Sequence, residues 1–289
     1  MRLAKLPAGV GGAVTRALEE DMPWGDATTD SLIPEDLCCV GLYVAKQAGV
    51  LAGIEVAKAT MLAVDGELIF KGRVADGEQF HRGAVIASVE GRAGSVLRAE
   101  RVSLNFLQRL SGIATLTRRF VDAVGGTRAK ILDTRKTTPG LRALEKYAVR
   151  AGGGHNHRFG LSDGVLIKDN HLEAMLGSGI GLSETIAMAR ASAPHTMGIE
   201  VEVESVADAV EAVEAGADIV LLDNMSTNQM RVAVKEVAGR AILEASGDMT
   251  LESVGEVART GVDLISIGKL THSAPAIDIS LDVEIGARG

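Results

Sequence analysis

The sequence predicts an α/β fold in which a parallel sheet, either an incomplete barrel or an open sheet, follows a smaller α+β layer. Three observations carry that reading. After Gly126, short apolar runs alternate with helical segments in a regular strand, loop, helix order. Between Cys39 and Val96, short apolar runs are separated by glycine turns, the pattern of a small sheet with a helix on it. The 34 glycines sit mostly at the ends of apolar runs, where an α/β protein puts its turns.

Taken in order, the first twenty residues read as a helix ending near Glu20, followed by a polar, turn-rich segment from Asp21 to Thr29. Gly41–Ala45 and Ala84–Val89 read as strands, and Ile54–Val64 as a helix. From Arg98 to Val124, the apolar positions Val102, Phe106, Leu107, Leu110, Ile113 and Leu116 keep near-helical spacing. Strand-like runs then fall at Ala129–Asp133, Val165–Lys168, Ile199–Val203, Ile219–Leu222, Ala241–Ala245 and Val262–Ile267. In one unit, Ser205 is placed to cap a helix that runs through Ala215, and Gly216 ends it before the next buried strand. Strictly alternating units imply a parallel sheet with right-handed crossovers. Six strands are fewer than a closed eight-stranded barrel needs.

Composition narrows the function. Of 289 residues, 46% are hydrophobic and 24% charged, ordinary for a globular chain long enough to build a core. Aromatics are only 3%, so aliphatic side chains must supply that core. A net charge of −8 gives no reason to expect nucleic acid or an anionic membrane as partner. Yet basic residues cluster between Arg128 and Lys168, which suggests a small anionic ligand. The two cysteines, Cys38 and Cys39, are adjacent; no zinc spacing exists, and opposite faces of one strand is the plainer reading. The N-terminal apolar stretch is short and runs into Glu19, Glu20 and Asp21, so we expect no signal peptide, no membrane span and a cytoplasmic location.

In barrels and open parallel sheets alike, ligands bind at the C-terminal ends of the strands. In order, those ends read Asp133-Thr134-Arg135-Lys136-Thr137, Lys168-Asp169-Asn170-His171, Glu202 with Glu204, Asp223-Asn224, Ser246-Gly247-Asp248 and Gly268-Lys269. Before the second strand stands Gly152-Gly-Gly-His155-Asn-His157-Arg158. Arginine forks suit carboxylates, so Arg135 and Arg158, with Lys168, could bind a substrate of several negative charges. Glu202 and Asp223 are hard oxygen ligands that could hold Mg2+ through water beside a phosphate. Backbone N–H groups at Ser246-Gly247 and Gly268 could cradle that phosphate. Each feature also has a plainer meaning. Arg135 and Lys136 could be solvated loop charges. Glu200, Glu202 and Glu204 could be the wet face of a strand, although in a barrel one face points inward and a carboxylate there needs a partner. His155, His157 and His171 lack a metal spacing and are expected to be structural. The triple glycine lacks the Gly-Lys-Ser/Thr of a phosphate loop, and Trp24 is expected to pack.

The runs Asp133-Thr-Arg-Lys-Thr-Thr-Pro-Gly-Leu-Arg142, Glu145-Lys-Tyr-Ala-Val149, His157-Arg-Phe-Gly-Leu-Ser-Asp163 and Leu166-Ile-Lys-Asp-Asn-His171 together resemble the signature of the quinolinate phosphoribosyltransferase family. Glu200-Val-Glu-Val-Glu204, Leu221-Leu-Asp-Asn224, Glu244-Ala-Ser-Gly247 and Ile267-Gly-Lys-Leu-Thr-His-Ser273 continue it in order. Upstream, Glu20-Asp-Met-Pro-Trp-Gly-Asp-Ala-Thr-Thr29 and Ala99-Glu-Arg-Val-Ser-Leu-Asn105 extend the likeness over nearly the whole chain.

That resemblance implies an open α/β barrel beside an N-terminal α+β sandwich domain, with boundaries expected at 1–110, 111–275 and a C-terminal segment 276–289 packing back on the N-terminal domain. It implies transfer of a phosphoribosyl group from phosphoribosyl pyrophosphate to quinolinate with loss of CO2. It implies a homodimer with shared active sites; a hexamer built from dimers stays open. Quinolinate would be held by Arg101, Arg135, His157, Arg158 and Lys168, and phosphoribosyl pyrophosphate with Mg2+ by Lys136, Glu202 and Asp223. Phosphate contacts would fall on Thr134, Ser246, Gly247, Asp248, Ile267, Gly268 and Lys269. Two positions depart from the family pattern: Asp248 stands where Gly or Asn is usual, and Lys269 where a small residue is common. A molybdenum-uptake-associated relative shares the Thr-Arg-Lys-Thr and His-Arg runs but lacks the Lys-Asp-Asn-His run present at 168–171. From other classes, a Schiff-base aldolase would use Lys168 or Lys136 as nucleophile, and a non-catalytic anion binder would have no use for the acidic strand ends.

Overall fold

A computed structural model describes residues 9–285. The start of the expected N-terminal helix, residues 1–8, lies outside them. In chain order the elements are α1 (Val10–Asp21), α2 (Ala27–Leu32), β1 (Cys38–Ala45), β2 (Gly49–Val50), α3 (Ile54–Val64), β3 (Ile69–Gly72), β4 (Gln79–Phe80), β5 (Val85–Arg92) and α4 (Ala93–Ala123). Next come β6 (Lys130–Leu132), α5 (Arg142–Ala151), β7 (Val165–Ile167), α6 (Asp169–Leu176), α7 (Leu182–Ser192), β8 (Ile199–Val203) and α8 (Val206–Glu214). The last are β9 (Ile219–Asp223), α9 (Thr227–Val237), β10 (Ile242–Ser246), α10 (Val254–Ala258), β11 (Leu264–Ser266), α11 (Lys269–His272) and β12 (Ile279–Ile285). No described helix is long and apolar enough to cross a membrane.

The chain divides into two compact units. The first takes in residues up to Arg118, Thr137–Gly153 and the segment from Lys269; the second takes in Arg119–Lys136 and Gly154–Gly268. These limits differ from the sequence boundaries of 110/111 and 275/276, because α5 and α11 group with the first unit.

In the first unit an antiparallel sheet runs β12-β1-β5-β3. β1 alternates half-buried and buried positions, which puts Cys39 inside and Cys38 on the other face. β12 pairs along β1 from Cys39↔Ile285 to Ala45↔Ile279. Tyr43, Met61, Ile86, Leu104 and Leu107 fill the core between sheet and helices. The buried Tyr43 hydroxyl is paired with Ser103 Oγ at 2.6 Å, as a phenol out of water requires. Gly112 is needed where α4 passes the chain after α11: a Cβ there would stand 2.0 Å from the Pro275 carbonyl oxygen. Trp24 departs from expectation. Among the described residues it does not pack; it is 96% exposed in the turn between α1 and α2, at the tip where Pro23 and Gly25 form an isolated bridge.

In the second unit all six strands are parallel, in the order β6-β11-β10-β9-β8-β7. The first strand in sequence lies beside the last, as in a barrel, while β6 and β7 stay at the two edges, so the barrel is open. The α/β fold with an open barrel and an N-terminal sandwich is therefore the architecture of the chain. Local chemistry explains the regularity. Ser205 Oγ accepts the Asp208 N–H at 3.1 Å and starts α8, and Gly216, at φ +93°, ends the turn before β9.

Candidate active site

The C-terminal ends of the barrel strands gather most of the residues singled out from sequence. β6 delivers Asp133, which is fully buried. Its Oδ1 accepts the His157 N–H at 2.9 Å and its Oδ2 accepts the Asn156 amide at 2.8 Å. The segment 155–158 is thus tied to the β6 end, and His155 and Leu132 add one parallel bridge. Thr134 Oγ1 accepts the Lys136 N–H at 3.0 Å, which shapes the turn that carries the exposed Arg135 and Lys136.

Arg158 is half-buried and donates through Nη1 to the Gly164 carbonyl at 3.0 Å. Burial, followed by the neighbouring Arg135 guanidinium, holds it below its ordinary value. The Glu200 and Asp163 carboxylates act in the opposite direction and favour the charged form. Lys168 closes β7 and reaches Glu202 Oε2 with its ammonium at 2.5 Å. His171 accepts the Lys168 N–H on Nδ1 at 3.0 Å, so this histidine caps the start of α6, the structural role expected of it.

Glu202 and Asp223 stand at the ends of β8 and β9, adjacent strands in which Glu202 pairs with Leu221 and Val203 with Leu222. Asp223 Oδ2 accepts the Asn224 side-chain amide at 2.8 Å. Asn224 itself is left-handed at φ 51°, and its N–H donates to the Ser246 carbonyl at 3.1 Å. Gly247 is required here: a Cβ would meet Asn224 Oδ1 at 2.7 Å. Ser246, Gly247 and the exposed Asp248 follow β10, while Ile267 and Gly268 follow β11. Arg101, exposed on α4, and Lys269, which opens α11, belong to the first unit.

Sequence reasoning weighed Glu200 only as one of three strand carboxylates and gave Glu244 no role. Glu200 is 5% exposed and Glu244 1%, both on the inward face of the barrel. His157 Nε2 lies 3.3 Å from Glu200 Oε2 and 3.6 Å from Glu244 Oε1. Burial, and then the Glu200 carboxylate, push the Glu244 carboxyl up to about 7, against the pull of His157 and Ser266. The available signal was the period of two in β8: if Glu202 faces inward, so does Glu200.

Arg135, Arg158 and Lys168 together with the carboxylates Glu202 and Asp223, all at or beside the C-terminal strand ends of an open α/β barrel, suit an enzyme for polyanionic substrates. The comparisons say which. Residues 26–111 match the quinolinate phosphoribosyl transferase N-terminal domain, and residues 113–282 its C-terminal domain. A probable nicotinate-nucleotide pyrophosphorylase (carboxylating) of Bacillus subtilis is 47% identical over 92% of this chain and 90% of the relative. The Mycobacterium leprae nicotinate-nucleotide pyrophosphorylase (carboxylating) is 44% identical over 93% and 95%. The crystal structure of NadC from Streptococcus pyogenes superposes with a TM-score of 0.92 at 42% identity, covering 97% of this chain and 98% of that one. The chain belongs to the quinolinate phosphoribosyltransferase family.

Proposed function

We propose that this chain transfers the 5-phosphoribosyl group of phosphoribosyl pyrophosphate to quinolinate, releasing pyrophosphate and CO2 and giving nicotinate mononucleotide for de novo NAD biosynthesis. The observation that carries the reading is that Arg135, Arg158 and the Lys168–Glu202 pair all stand at or beside the C-terminal ends of the strands of one open barrel, with Arg135 close enough to act on the Arg158 charge. Quinolinate carries two carboxylates and suits such a group. We assign its binding to Arg135, His157, Arg158 and Lys168, with Arg101 supplied by the partner of a cytoplasmic homodimer.

In the reaction the pyridine nitrogen forms the bond to the ribose C1 as the C1–pyrophosphate bond breaks. Positive charge that builds on the ribose is stabilised by the fields of Glu202 and Asp223. The ring nitrogen then becomes cationic and draws the electron pair of the neighbouring C–CO2 bond into the ring as CO2 leaves; a proton replaces it. No acid–base side chain is needed for that loss. The protein's task is to hold two anions together, and Lys136 with the arginines offsets their repulsion. Thr134, Ser246, Gly247, Asp248, Ile267, Gly268 and Lys269 are assigned to phosphoribosyl pyrophosphate.

The donor set fits Mg2+: Glu202 and Asp223 are hard oxygen ligands at neighbouring strand ends, suited to a hydrated ion that also meets a phosphate. When bound, it would neutralise charge on the pyrophosphate group. The Schiff-base alternative is disfavoured at Lys168, since an ammonium ion-paired at 2.5 Å offers no lone pair to a carbonyl.

The test is an assay of purified protein with quinolinate, phosphoribosyl pyrophosphate and Mg2+, following nicotinate mononucleotide and CO2. Nicotinate lacks the second carboxylate and should be a poor substitute, because an unpaired cation in the pocket costs about 1–3 kcal/mol. Comparable turnover with nicotinate would overturn the dicarboxylate assignment.

A further inference from the structure

Glu244 has no part in the chemistry above, yet it is a carboxyl group sealed in the barrel interior. Such a group is costly to bury, and a well-packed apolar side chain would usually be at least as stabilising. Its surroundings point to what it does. His157 stands between Glu244 and Glu200, with Nε2 at 3.6 Å and 3.3 Å from their oxygens. On the other side of the ring, Nδ1 lies 2.7 Å from the main-chain nitrogen of Arg158. A main-chain N–H can only donate, so Nδ1 must carry a lone pair and Nε2 must carry the ring hydrogen. His157 is therefore a neutral ring whose one N–H lies nearer Glu200, with Glu244 beside it at 3.6 Å, and which accepts from Arg158 with the opposite nitrogen.

This arrangement fixes the segment 157–158 from three strands. Asp133 at the end of β6 takes the His157 N–H, Glu200 on β8 meets the ring at Nε2, and Glu244 on β10 stands against the same nitrogen at a longer distance. The imidazole then holds the backbone of Arg158. Ser266 hydrogen-bonds the Glu244 carboxyl group, while Glu244 Oε1, the oxygen that faces Nε2, and Glu200 Oε1 have no hydrogen-bond partner among the described residues, so Glu244 meets the ring as a close polar neighbour.

We propose that Glu244 is a positioning residue for the aromatic dicarboxylate: with Glu200 it locks the neutral His157 ring, and through Nδ1 it sets where Arg158 presents its guanidinium. The inference rests on the assignment of Arg158 to quinolinate made above. The ligand atoms of His157, Glu200 and Glu244 lie within 4.8 Å of one another, a spacing that could also suit a metal ion. The ring's hydrogen bonding argues against one. A metal on Nε2 would displace its hydrogen and leave a ring that keeps the Arg158 bond only as an imidazolate.

The experiment compares wild type, Glu244→Gln and Glu244→Leu. Glutamine keeps the shape and the hydrogen-bonding ability of a protonated carboxyl, so KM for quinolinate should stay within about threefold of wild type. Leucine fills the space but leaves the ring's Nε2 facing Glu200 alone. It should raise KM for quinolinate, and the quinolinate Kd by calorimetry, about tenfold or more. KM for phosphoribosyl pyrophosphate and kcat should move little. A merely structural role would instead lower kcat through the folded fraction and leave both KM values alone, and that result overturns the proposal. So does a leucine variant that binds quinolinate as wild type does, or a glutamine variant as weak as leucine. Tight Zn2+ binding by the wild type that the leucine variant loses would replace the proposal with a metal site. Should the leucine variant fail to fold, long-range 15N–1H spectra of the wild type still decide: His157 must show a hydrogen on Nε2 and none on Nδ1. If wild type makes no nicotinate mononucleotide, the functional reading fails; if it does and the variants match it, only the role of Glu244 fails.

Discussion

Glu145 offers a stringent test of what anchors Thr138 within the first unit. Its carboxylate is fully buried, and its Oε1 accepts from Arg109 Nε at 3.2 Å, Arg109 Nη2 at 2.8 Å and Thr138 Oγ1 at 2.8 Å. Its Oε2 accepts the Thr138 N–H at 3.0 Å. Glu145→Ala removes all four bonds. Deleting one partner of a buried ion pair costs about 3–5 kcal/mol, because the other charge stays behind uncompensated. Here the Arg109 side chain is 28% exposed and keeps the carbonyls of Ala274, at 3.0 Å, and of Thr271. The lower end, about 3 kcal/mol, is therefore expected. Glu145→Gln retains the volume and one acceptor oxygen and should cost roughly half as much, since hydrogen bonds to a charge are worth about 1.5–3 kcal/mol each. Urea unfolding measures both, as midpoint shifts multiplied by a common slope. An alanine variant within about 1 kcal/mol of wild type, or a glutamine variant as unstable as alanine, would refute the reasoning that a buried charge pair anchors Thr138.

Three further outcomes follow from other parts of the chain. Asp223→Asn should lower turnover on the order of 10–100-fold while quinolinate binding barely changes; calorimetry showing lost quinolinate affinity with intact saturated turnover would contradict the metal assignment. Arg101→Ala and Lys136→Ala should each be nearly inactive as homodimers, while mixed dimers regain activity because one of their two sites is assembled from intact parts; no recovery would place Arg101 in its own chain's site. Burial alone would raise the Asp65 carboxyl, but the Glu67 N–H, the Ser95 hydroxyl and the Arg92 guanidinium together hold it below its ordinary value. A depressed carboxylate contributes stability above the unfolded-state value of about 3.9, and that contribution is lost as pH falls through the lower folded value. Asp65→Asn should therefore lower the melting temperature at neutral pH and flatten its decline below about pH 4, which thermal unfolding across pH can check.

Much of this molecule was legible from residue order alone. The run Ile219–Leu222 matches β9 because a parallel strand buried on both faces is a short apolar run between turn formers, and Ile199–Val203 matches β8 because Ile199, Val201 and Val203 alternate with Glu200 and Glu202. The Ser205 cap and the Gly216 stop are local chemistry, decided within one helical turn. The strand ends follow from the alternation itself, so Lys168, Glu202 and Asp223 could be brought to one rim before any coordinates. Trp24 misled because whether an aromatic packs depends on what the rest of the chain brings to it, and among the described residues nothing covers the turn. The return of β12 to pair with β1 joins residues more than two hundred positions apart, a distance over which no periodicity carries information. Glu200 and Glu244 make the same point at the site. A period of two says which residues of a strand share a face. Which face turns inward, and that a histidine from a loop before β7 stands between two carboxyl groups there, is decided only when six strands curl around a common axis and bring β8, β10 and His157 together.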